Sequence, residues 1–317
     1  MIVKILLVGC GNIGYRHLEG LLNTNLSLNI TVIEISQTTI KEQIKKIKQK
    51  KFKNKKIIFS NIFSIKRLNF DLVICATTAY KRYDLLKKLV NRYNFSKILI
   101  EKLAFQNVYD FENALELFKK NEIQCWVNCP RREFKLFKKI KRDNKNINRL
   151  SIDVSGDKWN MASNSIHIFD LFYFLVNTPV NFTQKKINLK KIPSKHHNFF
   201  ELTGQLKVYN KKYSVSMGDQ RKNKGFIIKV KTPKIKYYID EKKKFVRINS
   251  NNKTYLKKIT IPLQSQTTKN FIKKIAYNKK ISLPTLSEAY LSHKLVYFSF
   301  KNFLNKKKSQ LHNFLIT

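Results

Sequence analysis

Glycine is scarce in this chain, with eight in 317 residues, and so are proline (six), cysteine (four) and tryptophan (two). Acidic residues are also few: 20 Asp and Glu stand against 64 Lys and Arg, a formal net charge of +44. No run of about 18 uncharged apolar residues occurs, which excludes a membrane-spanning helix. Cys10, Cys75, Cys125 and Cys129 show no paired ligand spacing. Cys125 and Cys129 stand close together, but no second pair completes a zinc site, so no metal is expected. Reduced thiols in a cytoplasmic protein are the expectation instead. The opening "MIVKILLVG" agrees with that compartment, being too short for a signal peptide's apolar region and lacking a small-residue cleavage site.

The charge alone suggests a nucleic-acid binder, but its distribution argues otherwise. Only ten of the 64 basic residues are arginine, and the lysines run from Lys4 to Lys308. Lys, Asn, Ile, Phe and Tyr are abundant together, as AT-rich codon usage would make them. A nucleic-acid surface concentrates basic residues in a motif with interleaved aromatics, and no such motif is present. Specific nucleic acid is therefore not an expected partner, although the charge would steer anionic small molecules. With 43% hydrophobic residues the chain can bury real cores, and its length suits two domains.

Hydrophobic patterning divides the chain near residue 128. Before it, "IVKILLV" (2–8), "ITVIEI" (30–35), "KIIFS" (56–60), "DLVICAT" (71–77), "KILIEK" (97–102) and "QCWVN" (124–128) read as strands. Several are continuously apolar, as strands buried on both faces of a parallel sheet must be. Helical patterns near 13–24, 38–50, 80–93 and 108–121 alternate with them, which implies a doubly wound α/β domain over 1–128. After Pro130 come a basic helix (131–142), a strand near 147–155 and an apolar helix near 164–177. Alternating segments from 199 to 262 read as an antiparallel meander, and helices near 267–277 and 286–304 close the chain. Residues 129–317 are thus expected to form an α+β domain with a mostly antiparallel, open sheet. The lysine runs at 45–56 and 185–195 read as solvated helix ends and loops, and His196 and His197 receive no role.

Half of the glycines fall within Lys4–Gly20. Gly9-Cys10-Gly11-Asn12-Ile13-Gly14 matches G-x-G-x-x-G directly after a buried strand and at the opening of a helix. In that context Gly9 permits a tight turn, Gly11 admits a pyrophosphate and Gly14 lets the helix pack on the strand. Asn12 and Ile13 begin the helix whose amides would face the phosphates. Glu34 ends the second strand twenty residues past Gly14, where an acid bonds the adenosine ribose. A carboxylate there repels a 2′-phosphate, and Ile35 and Ser36 supply no arginine, so NAD is favoured over NADP.

From "ILIEKLAF" onward the sequence resembles the glucose–fructose oxidoreductase / inositol dehydrogenase family (Gfo/Idh/MocA). Glu101-Lys102-Leu103 matches two of three positions in that family's E-K-P. "VGCGNIGYRHLEGL", the "ATT" containing Thr77, "VNCPRREF", "NSIHIFDLFYFL" and "LPTLSEAYLSHKLVYFSF" extend the likeness along most of the chain. "GDKWNMASNSIH" resembles a branch associated with surface-sugar biosynthesis. The resemblance implies a Rossmann domain, Thr77 and Glu101 near the cofactor, and a dimer or tetramer formed through the second sheet's open face. It also implies a dehydrogenase or reductase acting on a sugar or sugar nucleotide. Three departures stand out: Leu103 replaces the proline, Ser163 an aspartate four residues before the histidine, and Arg82 a histidine.

Hydride exchange with a sugar carbinol needs a proton acceptor that titrates near the working pH, which His167 can be. Lys102 can hold the sugar oxygen and favour its ionised form. On local pattern alone His167 reads as a core histidine and Lys102 as a solvated lysine. The position of Lys102 beyond a strand's carboxyl end favours a site role. Asp170, nearly one turn past His167, can orient its ring or serve the core. Asn164 lies on roughly the same side and can bond a substrate hydroxyl or cap the helix. Arg131 and Arg132 suit a phosphate or carboxylate, or form a solvated helix start. Two other readings of the same residues remain: a non-catalytic NAD-binding sensor, and hidden redox chemistry on tightly held NAD.

Overall fold

The computed structural model describes residues 2–50, 52–61, 68–145, 147–195, 199–219, 225–303 and 316. The chain divides into two compact units. The first comprises Met1–Phe105, Tyr109–Asn128 and Pro262–Ser287; the second comprises Gln106–Val108, Cys129–Ile261 and Glu288–Thr317.

In the first unit β1 (Ile2–Val8), α1 (Asn12–Leu22), β2 (Ser27–Ile33), α2 (Gln37–Lys48) and β3 (Lys55–Ser60) follow in order. They are succeeded by β4 (Leu72–Cys75), α3 (Arg82–Arg92), β5 (Lys97–Ile100), α4 (Val108–Lys120) and β6 (Gln124–Val127). The strands pair in parallel in the order β3-β2-β1-β4-β5-β6. Ile5, Leu7, Ile30, Val32, Leu72, Ile74 and Leu99 pack with Leu18 and Leu21 of α1, which is why these strands read as unbroken apolar runs. Strand order reverses between β1 and β4, and ligands of such sheets bind beyond the carboxyl ends at that point.

In the second unit a 3₁₀ turn (Pro130–Glu133) precedes α5 (Lys135–Asp143), so the basic segment at 131–142 is not one helix: it breaks at Phe134, whose backbone is extended. Then come β7 (Leu150–Gly156), α6 (Met161–Val176), β8 (Gln184–Pro193), β9 (Phe200–Tyr209), β10 (Tyr213–Asp219), β11 (Ile227–Lys231), β12 (Ile235–Asp240), β13 (Phe245–Ser250) and β14 (Lys253–Lys258). They form one eight-stranded sheet, β14-β13-β12-β11-β7-β10-β9-β8. It is mostly antiparallel, but β7 sits between β11 and β10 and runs parallel to β10, so the meander is interrupted at its centre. The lysine run at 185–195, read as a loop, is largely strand β8. Buried Ile152, Val154, Val215, Met217, Leu206 and Val208 line one face. The registers align exposed Lys186, Lys207, Asp153, Lys229 and Arg247 in one row on the other.

Two helices remain, α7 (Gln264–Ala276) and α8 (Leu286–Phe300). Helix α7 belongs to the first unit, whereas sequence order groups it with 129–317. The reason is Gly20 of α1. A Cβ there would collide with the Ser265 carbonyl and come within 2.8 Å of the Thr268 Cβ, so α1 and α7 cross with their backbones close together. Helix α8 ends at Phe300 in a further 3₁₀ turn (Lys301–Phe303). Residue 304, His196 and His197 lie outside the described residues.

Candidate active site

The glycine turn joins β1 to α1 at the switch point. Gly9 has φ +83°, and a Cβ on it would lie 3.1 Å from the Thr77 amide nitrogen. A Cβ on Gly14 would run into the Gly9 carbonyl, so helix and turn pack at backbone distance. Gly11 differs, because nothing lies within 4 Å of where its Cβ would be. That space opens at the N-terminus of α1, which has no side-chain cap and no acidic residue in its first turn. Exposed Asn12 and 46%-exposed Ile13 begin the helix. An uncapped, positively polarised helix end beneath an open glycine fits a dinucleotide pyrophosphate.

Glu34 closes the adenosine side. One carboxylate oxygen accepts the Cys10 amide at 2.6 Å and the other the Ser36 amide at 3.0 Å. The carboxylate is thereby pinned beside the glycine turn while staying partly exposed. Burial, reinforced by the Glu34 charge, pushes the Cys10 thiol up to about 12, so this thiol is inert at neutral pH. All four cysteines are buried thiols outside any disulfide, and the described residues contain no group of His, Cys, Asp or Glu that could hold a metal ion.

At the end of β5, Glu101 and Lys102 point to different tasks. Glu101 is 7% exposed; its carboxylate takes hydrogen bonds from His17 Nε2 at 2.8 Å and Asn128 Nδ2 at 2.5 Å. Burial pushes this carboxyl up, but the hydrogen bond and charge of His17, the Asn128 amide and the Lys102 charge outweigh it, and the group sits below its ordinary value. His17 continues the network through Nδ1 to the Thr268 hydroxyl of α7, at 2.9 Å. Glu101, expected near the cofactor, thus anchors the strand end from within. Lys102, the next residue, is half-buried, and the Lys102–Leu103 peptide bond is cis.

Arg82 was not read from the sequence as a site residue. It is 1% exposed on α3, and its guanidinium donates to the carbonyls of Thr77, Glu101 (2.5 Å), Leu103 and Ala104 (2.8 Å). Burial lowers its pKa, with the Glu101 carboxylate among the charges opposing that shift.

In the second unit α6 carries the other expected residues. Every residue of this helix is buried except Asn164 and His167. Three apart, they share one face, so they form the single partly exposed stripe of an otherwise enclosed helix. Asn164 does not cap the helix from the N-cap position, which Asn160 occupies; its amide donates to the Trp159 carbonyl at 2.7 Å. The first-turn amides of α6 are met by a residue the sequence reading missed. Buried Glu201 of β9 accepts from Ala162 at 2.9 Å and Ser163 at 3.3 Å. Unlike α1, this helix end already holds its own carboxylate.

Asp170, expected to orient His167 or serve the core beside the substrate, and Arg132, expected as a substrate contact, bind each other. Arg132 Nε lies 3.0 and 2.9 Å from the two Asp170 oxygens, and Nη2 lies 2.7 Å from one of them. Asp170 is fully buried and Arg132 6% exposed, so neither presents an open charge. Burial pushes Asp170 up to about 6, the Arg132 guanidinium pulls against it, and Glu288 adds to the rise. Arg131 forms a two-pronged ion pair with Glu241 and lies over the Phe226 ring.

A glycine turn at a switch point, an uncapped helix and an acid after β2 define a dinucleotide-binding Rossmann unit. Residues 3–129 match the sequence model of the Gfo/Idh/MocA group, described as "Oxidoreductase family, NAD-binding Rossmann fold". That match spans the glycine turn, Glu34 and Lys102, and the nucleotide its description names is NAD. No curated protein matches the chain. Among solved structures, it is similar to a dehydrogenase (MviM) from Clostridium difficile, at 17% identity and TM-score 0.72, over 95% of this chain and 99% of that one. UDP-N-acetylglucosamine 3-dehydrogenase GnnA from Acidithiobacillus ferrooxidans gives 8% identity and TM-score 0.68, over 94% and 97%. A super-repressor mutant of Gal80p from Saccharomyces cerevisiae gives 12% and 0.71, over 95% and 96%. At these identities the likeness is one of fold.

Among the described residues, no helix is long and apolar enough to cross a membrane.

Proposed function

We propose that the chain is an NAD-dependent oxidoreductase whose substrate is a hydroxyl or ketone of a sugar or sugar nucleotide. One observation carries this reading: Gly11, Glu34, Thr77 and Lys102 all follow the carboxyl ends of neighbouring strands in one parallel sheet. When bound, NAD supplies the hydride acceptor or donor. The uncapped amides of α1 and the open face of Gly11 hold the pyrophosphate, and Glu34 takes the ribose hydroxyls and disfavours a 2′-phosphate. Lys102 bonds the reacting oxygen and stabilises its developing negative charge. His167 takes the hydroxyl proton, or returns it in reduction, and Asn164 on the same helix face bonds a second hydroxyl. The family of residues 3–129, and the sugar-nucleotide dehydrogenase among the similar folds, support this class of substrate.

A second reading, NAD binding without net turnover, is favoured by Leu103 and Ser163, where the family carries proline and aspartate. Incubating the purified protein with NAD or NADH and a panel of sugars and sugar nucleotides separates the two. Absorbance change at the reduced-nicotinamide band supports the oxidoreductase. Tight NAD binding with no change across the panel supports the second reading.

The resemblance also implies self-association through the open sheet face. The row of Lys186, Lys207, Lys229 and Arg247, with Ser216, Asp153 and Tyr238 between them, would make such a contact dependent on charge screening.

A further inference from the structure

Arg82 is a fully enclosed cation whose hydrogen bonds run to backbone carbonyls. Enclosing a guanidinium costs several kcal/mol of desolvation, and an apolar side chain of similar size would pack α3 against the sheet without that cost. What the guanidinium does that an apolar group cannot is gather carbonyls from two separate turns. Glu101 and Leu103 flank Lys102 on either side, and Ala104 follows; Nη1 bonds all three carbonyls. Nη2 bonds the carbonyl of Thr77, the residue against which Gly9 is packed. A planar, permanently charged fork holds such acceptors in fixed directions, which a lysine ammonium, a point charge on a flexible stem, does not.

We infer that Arg82 is a positioning residue: it clamps the turn that carries Lys102 to the turn that backs the dinucleotide glycines, and so fixes where the lysine stands relative to the cofactor. Arg82 itself touches neither substrate nor cofactor. The inference rests on Lys102 acting as proposed above.

The test compares wild type with Arg82→Lys, Arg82→Met and Arg82→Ala. Cooperative melting and NAD affinity within about threefold of wild type identify folded variants, because the pyrophosphate and ribose contacts do not involve Arg82. Amide hydrogen exchange at 101–105 is expected to quicken about tenfold or more in Arg82→Lys, while exchange in β1 and β2 stays unchanged. With substrate, kcat is expected to fall by roughly a hundredfold at nearly constant KM, the scale set by a misplaced reacting group. Millimolar guanidinium ion added to Arg82→Ala should restore part of the lost kcat, an effect a merely structural role would not give. Should Arg82→Met and Arg82→Ala fail to fold, Arg82→Lys keeps the charge and carries the exchange and kcat measurements.

Exchange at 101–105 unchanged in folded Arg82→Lys overturns the inference. So does wild-type kcat in that variant. A wild type that turns over no hydroxylated substrate, but shows the same quickened exchange on Arg82→Lys, overturns the reading of Lys102 instead and the positioning role with it, leaving the clamp as architecture.

Discussion

The carboxylate of Glu34 accepts the backbone amide of Cys10 at 2.6 Å, which ties the end of β2 to the middle of the glycine turn. The acid is therefore held in place before any nucleotide arrives, and in the proposed role its negative charge disfavours a 2′-phosphate. NAD is expected to bind more tightly than NADP. Glu34→Ala should weaken NAD by roughly ten- to a hundredfold, the scale of a lost hydrogen bond to a charged group, and narrow the gap to NADP. Calorimetric titration of both nucleotides against both proteins checks this, and equal wild-type affinities would refute the role of Glu34.

Gly20 makes a prediction about architecture. Its missing Cβ lets α1 meet α7, across which His17 reaches Thr268. Gly20→Ala should lower stability by about 1–3 kcal/mol, the usual cost of overpacking a tight contact. Thermal melting measures it. An unchanged melting temperature would mean that α7 can shift without cost.

Much of the first unit was legible because its strands are enclosed on both faces and so read as continuous apolar runs. The two edge strands of the second sheet were not legible, for a physical reason. Strand β8 carries five lysines or glutamines among its first eight residues, and β14 is exposed throughout. Edge strands that avoid pairing with other chains are guarded by such charges, which blur the alternation that marks a strand. The parallel pairing of β7 with β10 leaves no local trace either, since their neighbours in sequence do not form the pair. At the site, the glycines, Glu34, Lys102 and the Asn164–His167 stripe were visible as motifs. Arg82 was not, because one arginine in a lysine-rich chain gives no sign of the carbonyls it will meet. The Arg132–Asp170 pair was hidden for the same reason, since Arg132 suits a substrate anion or a solvated helix start and Asp170 the His167 ring or the core.

Lys102→Ala and His167→Ala should each reduce turnover by roughly a hundredfold or more, as loss of charge stabilisation or general acid–base transfer requires. NAD affinity should barely change, because neither residue contacts the adenosine end. Steady-state kinetics on the substrate found by the panel, with a separate nucleotide titration, separates the two effects. Normal turnover in both variants would remove the proposed chemistry.

The last prediction concerns the pair formed by Arg132 and Asp170. Burial holds the Asp170 carboxyl at about 6 in the folded chain, above its ordinary 3.8, so folding takes up a proton between those values. A raised carboxyl contributes stability that is fully present below about 3.8 and is lost as pH rises through about 6, the reverse of an ordinary salt-bridged carboxylate. Above that window Asp170 is ionised and Arg132 holds it with three close nitrogen–oxygen contacts, at 2.7, 2.9 and 3.0 Å. Asp170→Asn resembles the protonated carboxyl at every pH, and Glu288 still stands 3.3 Å from the Arg132 guanidinium in that variant. The wild type should accordingly lose stability relative to Asp170→Asn as pH rises from 4 to 6.5, and the difference should stay level above it. Denaturant melts of both proteins at half-unit steps measure the gap. A wild type that instead gains stability relative to Asp170→Asn over this interval would show that Arg132 holds the Asp170 carboxyl below its ordinary value, with the ion pair outweighing burial.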